Sequence, residues 1–137
     1  MKKLHPAVKA VIKKNNKFLV IKQKFLDKIV WDLPGGLVDF GEDPYNALIR
    51  EVKEEVNLSI KIVRPIGLFW FFRYDGDQVI CNTFLCKASR YDVDMTKALH
   101  EKNIVKQIEY SWVTKDEFLS SNYKVGHDSM KKLIEVL

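Results

Sequence analysis

The sequence predicts an α/β fold, a sheet flanked by two main helices in an α/β/α sandwich, within one domain spanning residues 1–137. Three observations point there. Short β-rich runs alternate with turn signals along most of the chain, residues 44–56 carry apolar side chains at helical spacing, and a second amphipathic segment lies near residues 128–136. A hydrophobic content of 47% with 30% charged residues is ordinary for a globular chain of 137 residues.

The elements follow in order. A strand is expected from Ala7 to Lys13, a turn at Lys14-Asn15-Asn16-Lys17, and a second strand from Phe18 to Gln23, together a β-hairpin. Trp31-Asp32-Leu33 is a short apolar piece, and Pro34-Gly35-Gly36 is a turn whose glycines permit close approach of the backbone to a ligand. Asp43 suits a helix N-cap and Pro44 the first helical position. Tyr45, Leu48, Ile49, Val52 and Val56 then form the expected buried stripe. Asn57 ends the helix, because asparagine tolerates the left-handed conformation common at that point. Ile60 to Val63 and Gly67 to Tyr74 read as extended, Asp75-Gly76 as a hairpin turn, and Gln78 to Lys87 as the returning strand. Ser89 to Gln107 reads as an irregular loop. A strand at Glu109 to Val113, a short helix from Lys115 to about Ser120, and a final helix near Asp128 to Val136 complete the order.

Chemistry concentrates on the first helix. Residues three and four apart share a helix face, so Glu51, Glu54 and Glu55 form one carboxylate cluster, about a third of a turn from the centre of the apolar stripe. They lie in the last turns, where the helix dipole disfavours anions. A hard dication with oxygen ligands, magnesium or manganese, is the simplest compensation. Mutual repulsion is expected to raise at least one of the three carboxyl pKa values. Three glutamates on a helix also occur as a plain solvated face, and the neighbouring glycine loop is what favours a site.

The span Gly36-x5-Glu42-x7-Arg50-Glu51-Val52-x-Glu54-Glu55-x-Asn57-Leu58 resembles the signature box of the Nudix hydrolases. Every charged position of the box is present, and the one departure is Asn57 where the family usually has glycine. The box covers 23 of 137 residues; the flanking Leu33-Pro34-Gly35 and Trp112-Val113 are similar to the family as well. The resemblance implies an α/β/α sandwich with a mixed sheet. It further implies metal-dependent hydrolysis of a pyrophosphate bond in a nucleoside diphosphate linked to another moiety: a nucleoside triphosphate, a nucleotide sugar or a dinucleoside polyphosphate. Glu51, Glu54 and Glu55 would be metal ligands and catalytic groups, the Gly35 carbonyl a further ligand, Arg50 the partner that holds a box carboxylate, and Glu42 a supporting or metal-proximal residue. By the same analogy a distal acid acts as base or extra ligand; Glu101 and Glu109 are the candidates, with Glu101 preferred for its place in a loop. The alternative from another class is a nucleotide-binding or regulatory module that keeps the fold without catalysis, and the intact acid set favours the enzyme.

Substrate contacts are expected from Arg73 and Tyr74 in the aromatic strand, and from Phe25 and Trp31 before the glycine loop, although packing explains the aromatic residues equally well. Tyr74 stands at a position that resembles the one associated with dinucleoside polyphosphate hydrolysis in the family. The net charge of +5 is uneven: residues 1–30 hold nine lysines against Asp27 alone, +8, and the remaining residues come to −3. Those lysines read as solubilising strand charges in preference to a patch that attracts polyphosphate to the cleft, and nucleic-acid binding is a minor option. Cys81 and Cys86 are five apart in a strand and so point to opposite faces, against a disulfide or a zinc pair. His5, His100 and His127 lack ligand spacing. No run reaches membrane-spanning length and the first residues lack an apolar leader, so a cytoplasmic location with a small-molecule nucleotide as partner is expected. Monomer and homodimer are both open.

Overall fold

The structure, a computed structural model, describes residues 1–96 and 105–137. Its elements are β1 (Leu4–Lys14), β2 (Lys17–Phe25), β3 (Lys28–Asp32), β4 (Gly35–Leu37), α1 (Pro44–Val56), β5 (Ile60–Phe72), β6 (Gln78–Ala88), β7 (Val105–Thr114), α2 (Lys115–Leu119) and α3 (Ser129–Glu135). Asn15 takes φ 57° in the β1–β2 turn, as a tight hairpin between right-twisted strands requires.

The strands form a mixed sheet in the order β3-β2-β1-β6-β5, with β4 on β1 and β7 on β2. β1 and β6 run parallel, and the other pairs are antiparallel. β1 and β2 pair only at Lys13–Phe18 and Lys14–Lys17 and then part. Beyond that fork β3 takes over the edge of β2 and β4 the edge of β1, so Leu33-Pro34 crosses from one half of the sheet to the other. The bond from Ala10 N–H to the Pro34 carbonyl, 2.8 Å, ties the crossing to β1.

Period-two alternation puts Val8, Ala10 and Ile12 on the face covered by α1, and Ala7 and Val11 on the face covered by α2 and α3. Cys81 is buried in the second of these cores and Cys86 in the first, on opposite faces as their spacing predicts, both as free thiols. Among the described residues no helix is long and apolar enough to cross a membrane.

Several expectations need correction. β3 and β4 add two strands to those the sequence predicts, and the Pro-Gly-Gly turn runs directly into a strand, with Gly35 paired to Lys9. Residues 60–72 form one edge strand rather than two, because bulges around Arg64 and Pro65 absorb a proline that has no N–H to give. β7 starts before Glu109. In α1 the buried residues are Ala47, Leu48, Val52, Glu55 and Val56, whereas Tyr45 and Ile49 are exposed. At 100° per residue the buried stripe is therefore turned toward the acids, and Glu55 lies within about 20° of its centre.

Candidate active site

The site is assembled by the two ends of α1 and by the fork in the sheet. At the N-terminus the Asp43 carboxylate accepts from Tyr45 N–H at 2.8 Å, with Pro44 in the first turn. At the C-terminus Asn57 adopts φ 57°, ψ 35° and donates its N–H to the Lys53 carbonyl. These caps fix a 13-residue helix whose last two turns carry Arg50, Glu51, Glu54 and Glu55 past β4.

Arg50 is the hub of the acids. Its Nε donates to Glu42 Oε2 at 2.8 Å and its Nη2 to Glu42 Oε1 at 2.9 Å, a bidentate pair. The remaining Nη1 lies between Glu51 Oε1 at 3.0 Å and Glu54 Oε2 at 3.3 Å. The hydrogen bond from Arg50, helped by Asp39 N–H, holds the Glu42 carboxyl below its usual range. Glu51 rests against Gly36: a Cβ there would come within 2.5 Å of the Glu51 carboxyl carbon, so only glycine leaves the carboxylate its place.

Glu55 behaves differently. It is 5% exposed, and it accepts from Gly35 N–H at 2.7 Å and from Gln107 Nε2 at 2.5 Å, one bond to each carboxylate oxygen. Burial pushes its carboxyl up to about 8, against the opposing pull of Lys9 and the Gly35 N–H. Glu51 is also raised, again by burial first, with Arg50 opposing. The expected repulsion is present, from Glu54 on Glu51 and from Glu51 on Glu55, but it is secondary to the loss of water.

Beneath Glu55 lies a buried ion pair. Lys9 Nζ donates to Asp32 Oδ2 at 2.8 Å and to the Leu33 carbonyl at 3.3 Å, while Asp32 Oδ1 accepts from Leu33 N–H. Burial alone would depress the Lys9 ammonium, yet Asp32, with smaller help from Cys81 and Glu55, holds it above its ordinary value. Lys9 is therefore no solubilising surface charge.

Both groups open on one cleft of about 780 Å³, within the range of small-molecule sites. Residues 3–136 match the family model described as the NUDIX domain. The chain belongs to that family. An ADP-ribose pyrophosphatase from Methanocaldococcus jannaschii is 44% identical over 69 residues, 48% of this NUDIX chain and 41% of the relative. Nudix hydrolase 7 from Arabidopsis thaliana is 27% identical over 134 residues, 92% of this chain and 44% of the relative. The chain thus spans less than half the length of these curated relatives. The MutT protein of Methanosarcina mazei Go1 superposes with a TM-score of 0.80 at 24% identity, covering 98% of this chain and 93% of that one, which establishes the NUDIX fold.

The NUDIX cleft is lined by Gly35, Arg50, Glu51, Glu54 and Glu55, and also by Phe25, Trp31, Arg73 and Tyr74. The Phe25 and Tyr74 rings meet at 5.5 Å. The Arg73 guanidinium is engaged by Asp75 at 2.8 Å, and Trp31 packs on Tyr123 at 4.9 Å. Gly35 meets Glu55 through its N–H. Glu101 lies outside the described residues; Glu109 pairs with Lys22 at 3.4 Å.

The donors available to a divalent cation are all oxygen, which suits magnesium or manganese. Among the described residues no three of them already converge on one point. Arg50 Nη1 stands between Glu51 and Glu54, and Glu55 turns toward Gly35. That Nη1 position is itself informative, since it shows two carboxylates converging on a single cationic atom. The set fits the ion provided that Nη1 yields, and Glu42 keeps the rest of the guanidinium in place when it does.

Sequence reasoning missed Lys9, Asp32 and Gln107. Lys9 did leave a signal, a lone charge inside the apolar run Ala7-Val8-Lys9-Ala10-Val11-Ile12. Gln107 left none, because an uncharged side chain in a strand carries no signal and only the bulge in β7 aims it at Glu55.

Proposed function

We propose that this chain hydrolyses the pyrophosphate bond of a nucleoside diphosphate linked to another moiety, by attack of water on phosphorus. The carrying observation is the pair of carboxylates, Glu51 and Glu54, drawn to one cationic atom beside a third, buried carboxylate on the wall of a nucleotide-sized cleft. Magnesium or manganese held by Glu51, Glu54 and Glu55, with the Gly35 carbonyl as a further ligand, would neutralise phosphate oxygens and lower the pKa of the attacking water. The protein's own contribution is positioning. Glu42 anchors Arg50 through two bonds, Gly35 N–H aims Glu55, and Gly36 leaves room for Glu51.

Phe25, Tyr74 and Trp31 offer an apolar wall for a nucleobase, and Arg73 stands beside Tyr74 with its guanidinium carbon 5.8 Å from the ring. Nucleoside triphosphates, nucleotide sugars and dinucleoside polyphosphates all fit this description. The relative named ADP-ribose pyrophosphatase supports anhydride cleavage. Glu101 is the proposed distal acid for orienting water, in competition with the box glutamates themselves.

The test is release of nucleoside monophosphate or phosphate from a nucleotide panel, with and without magnesium. Turnover should require the ion, and Glu54→Gln with Glu55→Gln should lower it by at least about 100-fold. Unchanged turnover in that double variant overturns the assignment. Tight nucleotide binding without turnover in the unmodified chain would establish a binding module instead.

A further inference from the structure

The sheet face beneath α1 is covered only in part. Register places Leu4 and Pro6 of β1 level with Gln78 and Ile80 of β6, and these level with Phe72 and Trp70 of β5. Opposed residues share a face, and the next row, Val8, Asn82 and Leu68, meets the core under α1 through Val8. One row further the Tyr45 ring of α1 packs on Phe84 at 5.6 Å. Short of that row the large side chains stand in water: Leu4 is 69% exposed, Leu68 52%, Trp70 39% and Phe72 58%. Pro6 and Asn82 are exposed between them.

No side chain in these rows carries a charge, although 30% of the chain is charged and its net charge is +5. That decides which partner fits. A nucleic acid or an acidic peptide needs cations on the surface it meets, whereas two copies of one basic chain need a surface free of like charge. Area favours the same partner. At roughly 200 Å² for a fully exposed large side chain, Leu4, Leu68, Trp70, Phe72 and Tyr45 together present about 500 Å². The residues between them bring the face toward the ~800 Å² that each partner contributes to a stable contact. A patch of this size is at the upper end of what a monomer exposes. The outer edge of β5 is closed at the same level. Trp70 N–H donates to Ser129 Oγ at 2.9 Å, and that hydroxyl donates to the Trp70 carbonyl at 2.8 Å, so a strand cannot add there and the face remains.

We propose that this face joins two copies of the chain about a two-fold axis, with β1, β6 and β5 of one copy packed on the same strands of the other. A closed two-fold contact uses one patch twice, and a patch without charge meets itself at no electrostatic cost. The large side chains fill the space between two sheets stacked about 10 Å apart. The contact also bears on the cleft. Phe72 ends β5 and is among the residues lining the cleft, so the second copy abuts the strand end that delivers Arg73 and Tyr74.

The experiment is sedimentation equilibrium of the full chain, 16.0 kDa, over about 5–200 µM. The mass should rise with concentration to that of two copies and stop there. Leu4→Glu and Leu68→Glu each put an unpaired charge into the contact from both copies, and each should raise the dimer dissociation constant at least about 10-fold. Circular dichroism and thermal unfolding check that the variants fold. Val136→Glu changes an equally exposed residue at the end of α3, across the sheet from this face, and should dimerise like wild type. A single-copy mass throughout overturns the proposal and leaves the face to a different protein. Wild-type dimerisation in both glutamate variants overturns it by placing the contact on another surface, and loss of the dimer in Val136→Glu overturns it by showing no preference for this face. Masses beyond two copies overturn the closed two-fold form. If glutamate is not tolerated at either position, Leu68→Ser decides: it removes apolar area without adding charge, so a weaker dimer supports the contact and an unchanged dissociation constant overturns it.

Discussion

Removing Asp32 alone from the Lys9–Asp32 pair should damage the fold far more than removing both members. The side chains are only 6% and 12% exposed and meet at 2.8 Å. Asp32→Ala leaves a buried ammonium with the Leu33 carbonyl alone, and an uncompensated buried charge of this kind costs about 3–5 kcal/mol. Lys9→Met leaves Asp32 its bond from Leu33 N–H, so the loss should be smaller, about 2–3 kcal/mol. The double variant Lys9→Met with Asp32→Ala removes both charges and should return to within about 1–2 kcal/mol of wild type, a coupling of at least ~2 kcal/mol. Urea unfolding in EDTA reads this directly: with a slope of about 2 kcal/mol/M, Asp32→Ala should move the midpoint down by roughly 2 M. The Lys9 contribution should not vary over ordinary pH. Its folded pKa is raised, so the stability is fully present below the ordinary 10.5 and is lost only as pH climbs through the higher folded value. A double variant as unstable as the two single losses added together would refute the reasoning, because the charges would then act independently.

Two further outcomes follow from the acids. In EDTA, Glu55 should make the wild-type protein less stable as pH rises: its folded pKa, about 8, exceeds the ordinary 4.5, so stability present below pH 4.5 is lost between there and about pH 8, on the order of a few kcal/mol. Glu55→Gln should flatten that slope in urea unfolding at a series of pH values, and parallel slopes for the two proteins would contradict it. Gly36→Ala should push the Glu51 carboxylate aside, since the new Cβ meets its carboxyl carbon at 2.5 Å. A flexible side-chain end can give way, so the melting temperature should hold within a few degrees while magnesium-dependent turnover falls at least about 10-fold; equal turnover would show that Glu51 has no fixed post.

What could be read from the chain in advance is what local chemistry determines. Asp43, Pro44 and Asn57 cap α1 where their side-chain and backbone preferences place them, and Asn15 makes the turn its conformation permits. Helical spacing also brings Glu51 and Glu54 together, because neighbours on a helix face need no tertiary information. The state of Glu55 could not be read in this way. Its burial depends on Gly35, which pairs with Lys9 in a three-residue strand too short to declare itself, and on Gln107, which arrives from another strand through a bulge. The misplaced core residues have the same origin. Tyr45 and Ile49 satisfy an apolar wheel, but the fork between β1 and β2 draws a carboxylate into the interface, and the helix rotates to deliver it. A sequence pattern thus identifies which groups share a helix face, while the sheet decides which of them loses water. Three glutamates that look equivalent along the chain become one exposed, one half-buried and one enclosed group, and the raised carboxyl pKa values of Glu51 and Glu55 come first from that loss of water rather than from their spacing.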